Sequence, residues 1–233
     1  MVFFSYIQRV LKKTFLFLIV LYLGEVLYAQ PSSSIATDLT VLRNFSPDQK
    51  FWSIGQTVRG DFHFSPHETI YAALVYYSPG KFHNYFIATA KSPQTVPSEV
   101  AYYVAGKWRM REISIGWKHY FKGSFDQDRQ WNFYGIVGFG LVFSNVVNAF
   151  APVDTALYNS PPAPVLGEGE FKRLTLDLGI GGEIPLGGNF YAYAEAKTML
   201  PTTDYASPYL HNNKNVPLPA IVNIGLRVLF GSW

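Results

Sequence analysis

Five histidines, His63, His67, His83, His119 and His211, are the side chains of this chain best suited to acid–base or metal chemistry. None falls in a His-Glu-x-x-His or related metal spacing, and the absence of cysteine excludes a cysteine-zinc module. Glu68 follows His67 in what reads as a turn, where the two form a solvated pair. His63 and Ser65 lie two residues apart, the base and nucleophile of an acyl-transfer triad in miniature. No acid completes that triad from sequence. No phosphate loop, Gly-x-Ser-x-Gly elbow or dinucleotide fingerprint is present. The reading is therefore a non-enzyme, with no catalytic, cofactor-binding or metal residues and no cofactor.

The remaining chemistry is charge. Asp38, Arg59, Asp61, Lys107, Arg109, Glu112, Lys118, Arg173, Asp177, Glu183, Glu195, Lys197 and Arg227 occur singly, both signs mixed, within otherwise apolar segments. Such charges must pair if they face an enclosed space, because unpaired burial is very costly. His63 fits a network with Asp61 and Arg59. A paired, filled interior is a plug rather than a wide channel.

The elements that carry these residues are strands. All fifteen prolines fall after residue 30, and proline is kept to strand ends and loops. The segments between them alternate with period two. We read eight strands, at 36–45, 51–64, 69–78, 100–121, 131–147, 170–184, 190–200 and 219–230, with the first the weakest. In the sixth, Leu174, Leu176, Leu178, Ile180 and Ile184 oppose Arg173, Thr175, Asp177, Gly179, Gly181 and Glu183. In the seventh, Tyr191, Tyr193, Glu195 and Lys197 oppose Ala192, Ala194 and Ala196. The fourth loses phase near Met110–Glu112, which predicts a β-bulge.

The joints are unequal. Those at 65–68, 122–130 and 185–189 are short and rich in turn residues; those at 79–99, 148–169 and 201–217 are long. The long ones carry Lys81, His83, Tyr85, Lys91 and Tyr158, and none of these names an external ligand. Phe62, Phe64, Trp117, Phe121, Trp131, Phe133, Phe190 and Phe230 stand beside short turns or the C-terminus. Phe45, Phe51, Trp52, Tyr76, Tyr77, Phe143 and Phe171 stand beside the other strand ends. Two belts of rings suit two membrane interfaces. Glycines at 55, 116, 138, 140, 179, 181 and 225 lie on the polar face, where they make room for Arg59, Arg173 or Arg227.

Of the 233 residues, 17% are aromatic and only 15% charged, which excludes a disordered chain. Net charge is +3, and Arg9, Lys12, Lys13 and Glu25 carry most of it. The near-neutral remainder offers no basic stripe for nucleic acid. Arg9, Lys12 and Lys13, the apolar run from Thr14 to Leu23, and Leu27-Tyr28-Ala29 before Gln30 have the layout of a secretory signal peptide. We expect residues 1–29 to be removed near Ala29–Gln30 and 30–233 to form one exported domain.

The last strand carries a resemblance. Asn223, Gly225, Val228 and Phe230 fill the places of the insertion signal that ends bacterial outer-membrane β-barrels, a polar residue, then glycine, then apolar or aromatic residues at alternate positions. With the leader and the unequal joints, the chain resembles the small eight-stranded outer-membrane β-barrel proteins of Gram-negative cells. The resemblance implies an all-β, antiparallel, up-and-down transmembrane barrel in the cell outer membrane. It also implies outer-membrane lipid and the barrel assembly machinery as partners, and a structural or surface-interaction role for the long loops. Three other readings stay open: a narrow ion or solute pore, a lipid-modifying barrel enzyme, and a soluble periplasmic barrel. Some small barrels that trim acyl chains from lipid A use a His-x-Ser motif. Here His63 and Ser65 approach a short turn, the periplasmic end, whereas those enzymes act on the outer leaflet.

Overall fold

Alternation with period two gives each segment two unlike faces, and a sheet with one apolar face must close or cover it. In the computed structural model, which describes residues 32–45, 49–150, 153–159, 165–202, 209 and 219–231, the sheet closes on itself. Residues 1–29, read from sequence as a signal peptide, and His211 lie outside the described residues.

Among the described residues, ten strands form one antiparallel sheet. They are β1 (Ser32–Asn44), β2 (Phe51–Ser65), β3 (Glu68–Tyr77), β4 (Gly80–Ala90), β5 (Glu99–Lys122), β6 (Asn132–Phe150), β7 (Tyr158–Asn159), β8 (Gly167–Gly187), β9 (Phe190–Pro201) and β10 (Ala220–Phe230). Eight of them make the ring, in the order β1, β2, β3, β5, β6, β8, β9, β10 and back to β1. The closing pair runs from Ser33 opposite Phe230 to Arg43 opposite Ala220. The fold is thus an eight-stranded antiparallel up-and-down β-barrel, and the weak first strand is the one that closes it. The β2–β3, β5–β6 and β8–β9 turns and the chain's last strand end lie at one mouth, the turn end. The other joints lie at the opposite, loop end.

The segment 79–99 is not one long loop, since only Pro79 and 91–98 stay outside strands. Pro79 interrupts pairing, because it has no N–H to give. The chain then resumes as β4 and runs along the upper half of β5, from Gly80 opposite Trp108 to Thr89 opposite Glu99. β3 pairs with the lower half of the same strand, so β3 and β4 are one wall broken at proline. The resulting β4–β5 hairpin rises beyond the ring.

The apolar faces point outward. Ile35, Leu39, Ile54, Val58, Ile70, Leu74, Ile113, Ile115, Phe139, Leu174, Ile180 and Ile224 are exposed on the outer wall, while the facing polar residues are buried. A soluble barrel would invert this. The outward belts hold Phe62, Phe64, Trp117, Phe121, Trp131, Phe190 and Phe230 at the turn end and Phe45, Trp52 and Tyr76 at the loop end. Phe51 and Tyr77 are exceptions. They belong to the loop-end belt by position, but both are buried inside, and Phe171 packs against the same inner cluster.

The bulge near Met110–Glu112 is absent. β5 keeps its alternation there, with Trp108, Met110, Glu112 and Ser114 inward. Met110 looked out of phase because the inner face at that height is itself apolar. For the same reason Lys107 and Arg109, read as interior charges, face out. Register shifts occur instead at His63/Ser65, Tyr120/Lys122 and Pro185/Gly187, all at the turn end.

Leu178 lies outward on β8, about midway between Lys172 and Ile184. Leu178→Arg puts a charge at the centre of the apolar band and is expected to lower stability by roughly 2–4 kcal/mol. Urea unfolding in lipid vesicles measures it. An unchanged midpoint would mean this face does not meet hydrocarbon.

Candidate functional site

The barrel interior is built in layers, because successive inward residues of each strand stack along the axis. Nearest the turn end, Arg227 is fully buried and forks onto Glu183, with Nη2 donating to Oε1 at 2.7 Å and Nε donating to Oε2 at 3.1 Å. Asn132 Nδ2 and Tyr120 OH also donate to Glu183. The β5–β6 turn folds across this mouth. Phe125 is tucked beneath the barrel, its carbonyl accepts from Arg227 at 2.7 Å, and its ring stacks on His63 at 4.2 Å. The sequence offers no sign of this stopper, since 122–130 reads as an ordinary turn.

His63 is thereby fixed in place. Its Nε2 bonds Ser34 Oγ at 2.6 Å and its Nδ1 bonds Thr69 Oγ1 at 2.7 Å. Its partners are these hydroxyls rather than Asp61 and Arg59. Ser65 sits in the turn, where its hydroxyl accepts the His67 N–H. His63 and Ser65 are not brought together as base and nucleophile. Glu68 likewise pairs with His119 at 2.8 Å rather than with His67.

The middle layer holds Arg59, Asp61, Lys118 and Glu195. Arg59 Nη1 donates to both oxygens of Glu195, at 2.7 and 3.0 Å, and Arg59 Nε lies 3.1 Å from Asp61. Lys118 Nζ donates to Asp61 at 3.1 Å and lies 3.8 Å from Glu195. Tyr134 OH donates to Glu195 at 2.9 Å, and Lys197 stands 3.9 Å away. Tyrosines fill what remains. The arginine of this layer lies over the Tyr193 ring, and Arg227 lies 4.0 Å from the centre of Tyr191. Above it, Asp38 accepts from Tyr193 and Thr40, and Glu112 accepts from Tyr77 OH at 3.2 Å. Asp177 accepts from Thr175, and a side chain at Gly140 would meet Thr175, Asp177 and Glu112 at once. The inner glycines make room chiefly for tyrosine rings rather than for arginines: Gly116 and Gly138 for Tyr71, Gly181 for Tyr134, Gly225 for Tyr193.

The loop-end third is apolar inside. Leu42, Phe51, Phe82, Trp108, Met110, Val142, Val146, Met199 and Ile221 form one buried cluster, with Arg173 at its lower edge. The cavity left among them is about 30 Å³, room for a water or two. The filled lumen thus holds ion pairs and tyrosines below and hydrocarbon in its loop-end third, and that third is where the alternating pattern gave no polar face to read.

Outside the ring, the β4–β5 hairpin has two unlike sides. Ala88, Tyr102, Val104 and Tyr158 make a small core of their own, and Tyr158 OH donates to the carbonyl of Pro97 at 3.1 Å. Lys91 Nζ donates to Thr155 O at 2.7 Å, tying the hairpin tip to the segment before β7. The opposite side exposes Lys81, His83, Tyr85 and Ile87, with Tyr85 directly across from Tyr103. Among the described residues no group of three His, Cys, Asp or Glu side chains could hold a metal ion. The residues read as an assembly signal split by face, Asn223 and Gly225 inward, Val228 and Phe230 outward.

No known protein-family model matches the chain, and no curated protein matches it in sequence. Solved structures do match in fold. Neisserial surface protein A superposes with a TM-score of 0.51 at 10% identity, over 85% of this chain and 99% of that one. The outer membrane protein OprG of Pseudomonas aeruginosa matches with a TM-score of 0.49 at 11% identity, over 87% and 97%. Ail, the attachment invasion locus protein of Yersinia pestis, matches with a TM-score of 0.48 at 11% identity, over 86% and 99%. At such identities the likeness is one of fold: this chain has the architecture of the small bacterial outer-membrane β-barrels.

Proposed function

We propose that the chain is exported, loses its leader near Ala29–Gln30, and closes in the outer membrane as a non-conducting barrel that acts by surface recognition through the β4–β5 hairpin. The outward apolar band supports residence in lipid, where closed strands leave no backbone group unsatisfied. The filled lumen supports a closed interior rather than a pore, and the separation of Ser65 in the turn from His63, which is held by Ser34 and Thr69, supports a non-enzymatic role. The observation that carries the reading is the two-sided hairpin. Its inner side has its own core, so the strands are held without a partner. Its outer side leaves Tyr85 84% exposed opposite Tyr103, with Ile87 and His83 on either side. Rigid aromatic contact area on an ordered scaffold is what recognition surfaces use.

Two measurements test it. In planar bilayers the purified barrel is expected to show no stable conductance steps; well-resolved steps would favour a narrow pore. In the second, nanodisc-embedded wild type and the Tyr85→Ala/Tyr103→Ala variant are applied to arrays of glycans and extracellular proteins. Binding that the variant loses, while its heat-shifted gel band persists, supports the hairpin as the contact surface. Binding equal in both, or none above empty nanodiscs, overturns it.

A further inference from the structure

The outer wall carries a graded row structure at the loop end that the hairpin does not use. One cross-strand row runs Tyr76, Arg111, Phe143, Lys172 over β3, β5, β6 and β8, so ring and cation alternate. Arg111 lies over the Tyr76 ring at 5.9 Å and Lys172 over the Phe143 ring at 5.6 Å. No ion pair engages either cation among the described residues. They stand two strands apart, about 10 Å between backbones, a gap their long side chains can close from both sides onto one anion. The next row towards the turn end is wholly apolar: Leu74, Ile113, Leu141 and Leu174. The next row towards the loop end is polar, with Arg109, Asn145 and Glu170. Asn145 Nδ2 donates to Glu168 at 2.6 Å and lies 3.4 Å from Glu170, which holds both carboxylates above the cations. A groove of about 1020 Å³ opens along this wall, with Val58, Leu74 and Ile113 on its floor and Arg109, Arg111 and Lys172 on its upper lining.

We propose that this groove seats a phosphorylated lipid of the outer leaflet, its phosphate held between Arg111 and Lys172 and an acyl chain laid over Leu74 and Ile113. The proposal rests on the membrane reading above. Charge complementarity selects an anion: Arg109, Arg111 and Lys172 line the groove, against the outward carboxylate of Glu170 and the inward-facing Glu112. The arginine fork suits phosphate, which it can grip through two parallel hydrogen bonds. The order of the rows selects a lipid over a soluble polyanion. A soluble polyanion has nothing to lay on Leu74 and Ile113, whereas a lipid arrives sideways, with its headgroup at the height of the cations and its chain on the apolar rows. Basic side chains at the edge of an apolar span recognise anionic headgroups in this way.

The test uses the mature chain refolded into vesicles of three compositions: phosphatidylcholine alone, phosphatidylcholine with bisphosphorylated lipid A, and phosphatidylcholine with the same lipid A stripped of phosphate. Lipid retained after mild detergent extraction is counted by native mass spectrometry. One phosphorylated lipid per chain is expected in the second composition and none in the third. Arg111→Gln/Lys172→Gln is expected to lower apparent affinity about thirtyfold, roughly the effect of two cations near a membrane surface. Arg129→Gln, in the β5–β6 turn at the opposite mouth, should leave lipid A retention unchanged. Equal retention in the double variant, equal retention of the dephosphorylated lipid, or displacement by inorganic phosphate at millimolar concentration overturns the proposal. Heat-shifted migration from phosphatidylcholine alone separates the two readings. Insertion without lipid A retention sinks only the groove, whereas failure to insert in any vesicle sinks the membrane reading as well.

Discussion

Glu195→Ala is expected to destabilise the barrel by about 3–5 kcal/mol, the cost of breaking a buried ion pair from one side. Glu195 is the acceptor on which the middle layer converges: Arg59 by two hydrogen bonds, Tyr134 by one, Lys118 and Lys197 within 4 Å. Without it, Arg59 and Lys118, both fully buried, share only Asp61. A buried cation short of an anion finds no water to replace it. The comparison that isolates charge from packing is Glu195→Leu with Lys118→Met. That pair removes one charge of each sign and leaves Arg59 facing Asp61, so it should recover most of the loss. Urea unfolding in vesicles, followed by heat-shifted gel migration, reads both. A Glu195→Ala barrel as stable as wild type would mean that water reaches this layer and that the lumen is not the plug described.

Removal of residues 230–233 is expected to abolish the outer-membrane form in cells while leaving refolding in vesicles nearly intact. Closure depends on the β1–β10 seam, and Phe230 contributes only its last register pair, opposite Ser33. The β9–β10 pairing starts at Val228 and is untouched. The folded barrel therefore loses little. What goes is the outward terminal aromatic of the Asn223, Gly225, Val228, Phe230 pattern, the part an assembly machinery would read before any barrel exists. Membrane fractionation with heat-modifiable migration measures the cellular arm. A compact, heat-shifted band from the outer membrane of truncated cells would place the signal elsewhere. Loss of refolding in vesicles as well would make Phe230 a structural residue rather than a signal.

Much of this molecule is written in alternation. Because side chains on a strand repeat every two residues, the sequence alone sorts Leu174, Leu176 and Leu178 from Arg173, Thr175 and Asp177, and locates the three short turns that define one mouth. The same periodicity places Arg59, Asp61, Lys118, Glu183, Glu195 and Arg227 on a common polar face. It is silent wherever both faces are apolar. Trp108 and Met110 lie inward between the outward Lys107, Arg109 and Arg111, so reading the inner face as polar put the wrong cations inside and supplied a bulge that does not exist. Pro79 misled for a related reason, since loss of one N–H stops a ladder but not the strand's direction, and β4 continues along β5. Partner choice lay further out of reach. Arg59 finds Glu195 at a separation of 136 residues, and Arg227 finds Ser34 at 193, because closing the ring brings the last strand against the first. The stagger of eight strands sets which inward residues share a height. Local pattern therefore determines which residues go inside, and only the closed register decides which of them meet.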